Sequence, residues 1–216
     1  ITSDGIIGNE VAIDKRTCSC CQTGITVTEK GTVIAAYRDR SEVEIRDISI
    51  ARLEQNIWQE PFNLYDDGWE LSGCPVNGPA ISSIDKLVAV AWFTGAKGIS
   101  AVKIAFSDDD GKSFATPFII ENKDPIGRVD LEMLPDGDAL VSWVEWVDGN
   151  EIINICRASQ EHGCKAQEQL VFNASNASVN FPQLERVNED IYLVWTQPDE
   201  NGDNLSMLRL SPKLID

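Results

Sequence analysis

Residues 88–94 read VAVAWFT, an apolar run that ends close to a tryptophan, and similar runs recur along the 216-residue chain. The others are VIAAYRD (33–39), ALVSWVE (139–145) and IYLVWTQ (191–197). Their aromatic residues lie 55, 51 and 52 residues apart, at Tyr37, Trp92, Trp143 and Trp195. A period near fifty residues indicates an architecture of repeated units.

Shorter apolar segments flank each run and predict further strands. One precedes it, GITV (24–27), PAIS (79–82), VDLEML (129–134) or FPQLE (181–185), and one follows it, DISIARL (47–53), AVKIAFS (101–107), INICRAS (153–159) or LSMLRLS (205–211). A fourth closes three of the units, EPFNLY (60–65), TPFII (116–120) and EQLVF (168–172). Helical periodicity is almost absent, and Gly, Asn, Asp and Pro separate the segments. Four strands at this period are typical of a propeller blade, so we predict an all-β fold, a β-propeller of four-stranded blades.

We divide the single propeller domain, residues 1–216, into four blade units. They span residues 22–72, 73–126, 127–178 and 179–216, and the last lacks an outer strand. Residues 1–21 hold an apolar piece, IIGNEVAI (6–13), which we interpret as an outer strand, and a cysteine-rich loop. That strand either completes the last blade and closes a four-bladed ring, or it belongs to a blade whose remainder lies upstream.

Composition and charge exclude several classes of partner. The formal net charge of -17 argues against nucleic acid and anionic lipid, because phosphate binding requires an excess of Lys and Arg. The longest apolar run, residues 87–93, is too short to span a bilayer as a helix. Six cysteines exceed what a reduced cytosolic protein of this size usually carries, so we expect an extracytoplasmic location, periplasmic or secreted.

One turn carries a recognisable motif. Residues 107–114, SDDDGKSF, resemble the Asp-box, S-x-D-x-G-x-T-W, of the BNR repeat family that includes sialidases. The short Ser and Asp side chains can cap turn amides, and Gly111 can supply a positive φ angle. Two eroded copies keep single features, Trp58 in the first unit and Ser159 with Gly163 in the third.

The resemblance extends over nearly the whole chain. The strings CSCCQT, AYRDR, RDISIAR, DDGW, GCPVNGPAI, AVAWFTG and GRVD are similar to those of exported bacterial proteins described as sialidase-like or exo-alpha-sialidases. That resemblance implies a six-bladed propeller, of which two N-terminal blades would precede this chain. It also implies a sialidase type of glycoside hydrolysis as one candidate activity.

The propeller geometry predicts which loops share a face. Loops between second and third strands lie on the same face as the connections between blades, opposite the Asp-box turns. This face therefore collects the candidate ligand-binding residues Arg38, Arg40, Arg46, Asn77 and Arg128. An arginine cluster can bind a carboxylate bidentately, although each arginine sits beside an acid, as in Arg38-Asp39, Arg46-Asp47 and Arg128-x-Asp130, and could form a local ion pair.

Catalytic residues are predicted less completely. The resemblance to sialidases calls for an acid and a Tyr nucleophile activated by Glu, and the Arg-Ile-Pro string that marks their first arginine is absent from the sequence. The weak candidates on the predicted ligand face are Asp47, Tyr65, Asp130 and Glu145.

The cysteines divide into two groups. Cys156 and Cys164 frame the eroded turn of the third unit and are expected to form a disulfide. Cys18, Cys20, Cys21 and Cys74 enter adjacent blades on one face, where they form either two disulfides, one of them to Cys74, or a thiolate site for zinc or copper. We expect disulfides and no cofactor, with the metal site as the alternative.

Three classes of function follow from these observations. The first is a binding propeller whose Arg- and Asp-bearing face takes an anionic glycan, a small molecule or a partner protein, without a complete sialidase catalytic set. The second is an exo-sialidase or other glycoside hydrolase. The third is a cysteine-based metal-binding or redox protein.

Overall fold

A computed structural model describes residues 9–120, 123–170, 180–199 and 202–211. Sixteen strands in this part of the chain form four antiparallel sheets, which follow one another in sequence. The predicted fold class, an all-β propeller built from four blade units, is confirmed.

The first sheet contains β1 (Gly24–Val27), β2 (Val33–Arg38), β3 (Ile48–Glu54), β4 (Ile57–Trp58) and β5 (Phe62–Asn63). Its strand order is β1-β2-β3-β4, and β5 also pairs with β3. Two short strands thus replace the single predicted outer strand, and residues 59–61 separate them, although the Gln59 amide still donates to the Arg52 carbonyl of β3.

The second and third sheets are regular four-stranded meanders. The second has β6 (Ala80–Ile84), β7 (Leu87–Thr94), β8 (Ala101–Ser107) and β9 (Phe118–Ile120), with a 3-10 turn at Ala96–Gly98 between β7 and β8. The third has β10 (Pro125–Met133), β11 (Ala139–Val147), β12 (Asn150–Ser159) and β13 (Gly163–Leu170).

The fourth sheet is β14 (Asn180–Val187), β15 (Asp190–Asp199) and β16 (Gly202–Leu210). No fourth strand joins it within the described residues. Leu205 and Met207 on β16 are 73% and 62% exposed, so this last sheet presents an apolar strip to solvent.

The four repeated aromatics lie on the second strand of each sheet, β2, β7, β11 and β15. All four side chains are buried: Tyr37, Trp92, Trp143 and Trp195. Strands covered on both faces read as continuous apolar runs, which is why these segments give the clearest signal in the sequence.

Each pair of successive sheets encloses an apolar core. The first and second sheets pack around Ile34, Ile50 and Trp92, the second and third around Phe106, Met133 and Trp143, and the third and fourth around Leu140, Ile153 and Trp195. The innermost strands contact one another in the order β1, β6, β10, β14. The four sheets therefore form an arc whose first strands share the concave side.

The N-terminal piece differs from its prediction. Residues 1–8 lie outside the described part, and residues 9–13 form no strand and do not join the fourth sheet. Val11 and Ile13 instead border a cavity of about 370 Å³ beside the first sheet, together with Tyr37. The Tyr37 hydroxyl donates a hydrogen bond to Asp14 Oδ2 at 2.6 Å, and this bond holds the segment before Asp14 against the first sheet.

The turn at residues 107–114 is held by its own side chains. Ser107 Oγ accepts hydrogen bonds from the amides of Asp109 and Gly111, and Asp109 accepts from the amides of Lys112 and Ser113. Burial acts to raise the pKa of Asp109. The hydrogen bonds that Asp109 accepts from the Lys112 and Ser113 amides and from the Ser113 and Ser107 hydroxyls outweigh burial and hold the pKa at about 2. The turn is a rigid element on the face opposite the inter-blade loops.

A search of the described residues for membrane-spanning segments finds no helix with the length and apolar character that crossing a bilayer requires.

Candidate functional site

The concave side of the arc contains a cavity of about 560 Å³. Residues from the first strand of every sheet, or from the loop before it, line this cavity. The polar lining includes Gln22, Thr23, Asp130 and Gln183, and the apolar lining includes Ile25, Ile81, Val129 and Phe181. A concave cavity of this size, lined by both apolar and polar groups, can accommodate a small ligand.

Asp130 is the titratable group of this cavity, and it lies on β10. Its Oδ1 accepts a hydrogen bond from the Leu131 amide at 3.0 Å, and its Oδ2 accepts one from the Leu184 amide at 2.6 Å. Burial raises the pKa of Asp130 to about 7, and the carboxylates of Glu132 and Glu185 contribute to the increase. Near neutral pH this carboxyl group can therefore both donate and accept a proton.

Arg128 and Asn77 lie beside the cavity on neighbouring sheets. Arg128 Nη1 forms an ion pair with Glu151 at 2.6 Å, and its guanidinium lies 6.0 Å from the centre of the Phe181 ring. Asn77 accepts from the Arg128 amide at 2.7 Å and donates to the Ile126 carbonyl at 3.0 Å. Asn77 is 8% exposed, so its amide group joins two blades and leaves little surface for a ligand.

Arg38 is buried between the first two sheets, with 1% of its surface exposed. Its guanidinium donates to three carbonyl oxygens, those of Asn77 at 2.6 Å, Arg46 at 2.5 Å and Phe93 at 2.7 Å. It also lies 4.8 Å from the centre of the Trp69 ring. Burial lowers the pKa of Arg38, and the predicted ion pair with Asp39 is not formed.

Arg40 and Arg46 converge on Glu44, a residue that the sequence analysis did not single out. Arg46 Nη2 lies 2.6 Å and Arg40 Nη2 2.8 Å from the Glu44 carboxylate, and Arg16 reaches it at 3.2 Å. The hydrogen bonds from Arg40 and then Arg46 hold the pKa of Glu44 at about 2. The three guanidinium groups that could bind an external carboxylate thus already share an internal one.

Three of the four weak catalytic candidates lie away from the cavity lining. Asp47 accepts hydrogen bonds from the amides of Gly68 and Trp69, and burial raises its pKa. Glu145 is 4% exposed and accepts from the amides of Lys123 and Asp124 and from Asn154 Nδ2. Tyr65 is 38% exposed, with the Lys103 ammonium group 4.5 Å from its ring centre. Only Asp130 borders the cavity.

The cysteines form two disulfides and leave two thiols. Cys156 is bonded to Cys164 across the β12–β13 turn, and Cys20 is bonded to Cys74, which links the loops that enter the first and second blades. Cys18 and Cys21 are thiols with their Sγ atoms 3.0 Å apart. Burial, followed by the hydrogen bond with Cys18, raises the pKa of Cys21 to about 11.

Three residues that line the cavity were not predicted from the sequence: Gln22, Phe181 and Gln183. All three lie in or next to first strands, which line the axis of a propeller, so the repeat alignment contained the signal that could have found them. Most of the charged loop residues that the sequence suggests as ligand-binding or catalytic are engaged in contacts within or between blades.

No protein-family model matches the chain, and the search of curated proteins gives no match either. Among solved structures, the Hadza microbial sialidase Hz136 is similar with a TM-score of 0.58 and 18% identity, over 87% of this chain and 43% of that one. A GH43_12 retrieved from capybara gut metagenome gives a TM-score of 0.60 and 11% identity, over 90% and 40%.

A xylan beta-1,4-xylosidase from Bacillus halodurans C-125 gives a TM-score of 0.53 and 11% identity, over 87% of this chain and 39% of that chain. The chain thus spans about two fifths of the length of these enzymes. At such identities the likeness concerns the fold alone, and that fold is the β-propeller of sialidases and GH43 glycosidases.

Proposed function

We propose that this protein binds a glycan in the cavity on the concave side of the arc. The observation that carries the proposal is the cavity itself, a space of about 560 Å³ to which all four sheets contribute. A partly exposed aromatic ring, Phe181, two amide side chains and one carboxyl group border it, and these groups suit the mixed apolar and hydroxylated faces of a sugar.

The charges favour a neutral glycan over the anionic one expected from the sequence. Glu44 forms ion pairs with both Arg40 and Arg46, Glu151 pairs with Arg128, and Arg38 is buried. The net charge of -17 adds long-range repulsion toward an anion. A carboxylate ligand would have to compete with these internal carboxylates for the arginines.

Two disulfides fit the expected extracytoplasmic location, where an extracellular glycan would be encountered. Hydrolysis is the second candidate function, and Asp130 favours it because a carboxyl group with a pKa of about 7 can act as a general acid at neutral pH. Glycoside hydrolysis usually requires a second carboxylate at a defined distance, and Glu132, two residues along β10, instead contacts Ser82 and Arg186.

Calorimetric titration with xylotetraose and with sialyllactose tests the proposal. We expect xylotetraose to bind and sialyllactose to bind at least tenfold more weakly. Phe181→Ala should weaken xylotetraose binding at least tenfold because it removes the aromatic wall of the cavity. Ile57→Ala, at an exposed position on the outer edge of the first sheet, is the matched control and should bind like the parent protein.

Tighter binding of sialyllactose than of xylotetraose would favour an anionic glycan as the ligand. Equal xylotetraose affinity of Phe181→Ala and Ile57→Ala would exclude the cavity as the binding site. Product release from xylotetraose that is abolished in Asp130→Asn would establish the hydrolase alternative, whereas binding without release supports a binding propeller.

A further inference from the structure

Cys18 and Cys21 form a dithiol that the proposed glycan site does not use. A hydrogen bond from the Cys21 amide to the Cys18 carbonyl, at 3.4 Å, closes the turn between them, and the Cys18 amide donates to the Arg38 carbonyl at 2.9 Å. These contacts fix both residues at the end of β2. Cys18 is 6% exposed, while Cys21 is partly exposed, so one sulfur is enclosed and the other is near solvent.

A buried positive charge lies next to the two thiols. The groups that interact electrostatically with the Arg38 guanidinium are, in decreasing order, Cys21, Cys18, Asp67 and Asp47. Every hydrogen bond from this guanidinium goes to a carbonyl oxygen of the described residues, and none goes to a carboxylate. Attraction to this cation acts to lower the pKa of Cys21, although burial and the hydrogen bond with Cys18 outweigh it in the metal-free protein.

The surroundings of the dithiol resemble those of a ligand pair. The Asn77 backbone acts to lower the pKa of the Cys21 thiol. Cys18 also borders the cavity of about 370 Å³ beside the first sheet, which provides a route from solvent. The disulfide to Cys74 occupies Cys20, so the neighbouring third sulfur is not a thiolate donor in this state.

We propose that Cys18 and Cys21 bind one Cu(I) ion as a bis-thiolate. Soft monovalent copper prefers thiolate sulfur, and two thiolates with one Cu(I) carry a net charge of about -1, which the Arg38 guanidinium balances. Zinc prefers four ligands, and the only histidine of the chain, His162, lies in the β12–β13 turn of the third sheet. The partly exposed Cys21 side chain rotates away from Cys18 to admit the ion.

Anaerobic titration of the full chain with tetrakis(acetonitrile)copper(I), in competition with bicinchoninate, tests the proposal. The native mass should first show four hydrogens fewer than the fully reduced chain, as the two disulfides require. We expect one equivalent of Cu(I) per chain with thiolate-to-copper absorption in the ultraviolet. Cys18→Ser and Cys21→Ser should each weaken binding at least a hundredfold.

The double variant Cys156→Ser/Cys164→Ser is the matched cysteine control and should keep one equivalent of Cu(I). A native mass lower by six hydrogens, with no copper uptake, would show that Cys18 and Cys21 form a third disulfide and would overturn the proposal. Uptake that is unchanged in both single serine variants, or that requires reduction of the Cys20–Cys74 disulfide, would overturn it as well. Circular dichroism of each variant separates loss of the ion from loss of the fold.

Discussion

At the scale of single residues, Arg38 holds three separate segments together with one guanidinium group. It donates to the carbonyls of Arg46 in the loop between β2 and β3, Asn77 before β6 and Phe93 on β7. Because a hydrogen bond from a charged donor contributes about 1.5–3 kcal/mol and these carbonyls are buried, the residue acts as a structural connection between the first two blades.

Replacing Arg38 tests this structural role. Arg38→Met should lower the free energy of unfolding by about 3 kcal/mol or more, because three buried carbonyls lose their donor. Urea denaturation measures the change. Arg40→Lys is the control: Arg40 is exposed and its pair with Glu44 is screened by solvent, so its denaturation midpoint should match that of the parent protein. Equal midpoints for both variants would exclude the structural role of Arg38.

Asp130 predicts a pH dependence of stability. In the unfolded chain the carboxyl group has a pKa near its usual 3.8, whereas in the folded protein burial raises the pKa to about 7. The folded state therefore binds the proton more tightly, and the stabilisation from that proton is lost as the pH rises from about 4 to about 7.

The variant Asp130→Asn removes this titration. The stability of the parent protein minus that of the variant should therefore be lower at pH 8 than at pH 4.5. Urea denaturation midpoints of both proteins at the two pH values measure this difference. A difference between the two proteins that is the same at both pH values, or that changes in the opposite direction, would contradict the pKa assigned to Asp130.

Residues in the loops show what sequence reasoning could not reach. Arg38 and Arg46 each precede an acid, and yet one donates to carbonyl oxygens and the other pairs with Glu44. The Arg38 partners at Asn77 and Phe93 lie 39 and 55 residues away, so no local pattern encodes them, and Arg46 pairs with the acid two residues before it instead of the one after it. The same holds for Cys20, because local spacing does not distinguish it from Cys18 or Cys21 as the partner of Cys74.

At the scale of elements, the turn between β8 and β9 combines hydrogen bonding with close packing. Gly111 has a φ of 71°, and a Cβ atom added there would lie 2.6 Å from Ile34 Cδ1 of the neighbouring blade. The glycine therefore serves the turn and the contact between the first two sheets. The sequence predicted the first role, whereas the second depends on a residue 77 positions away.

A pair of alanine substitutions separates these two roles. Gly31 has a φ of 81° and open space around its Cα, so Gly31→Ala introduces backbone strain alone, about 1 kcal/mol. Gly111→Ala adds the clash with Ile34 and should lower the free energy of unfolding by a further amount of about 1–3 kcal/mol. Thermal or urea unfolding of both variants gives the comparison, and equal losses would mean that Ile34 relaxes without cost.

At the scale of the whole molecule, the repeat determines most of what the sequence could predict. Each unit places a buried aromatic on its second strand, and this regularity made the four sheets and their order readable. The conformation of residues 9–13 could not be predicted, because a short apolar segment is equally compatible with a strand and with an irregular segment packed along a sheet. The shared cavity follows from how the sheets are arranged around one axis.

The most direct test of that arrangement is an amide NMR titration of the isotope-labelled chain with xylotetraose. The account predicts that the largest shift changes fall on cavity residues from all four sheets, such as Thr23, Ile81, Asp130 and Gln183. Changes confined to one sheet or to the outer strands, or no changes at millimolar xylotetraose, would contradict a common glycan-binding cavity.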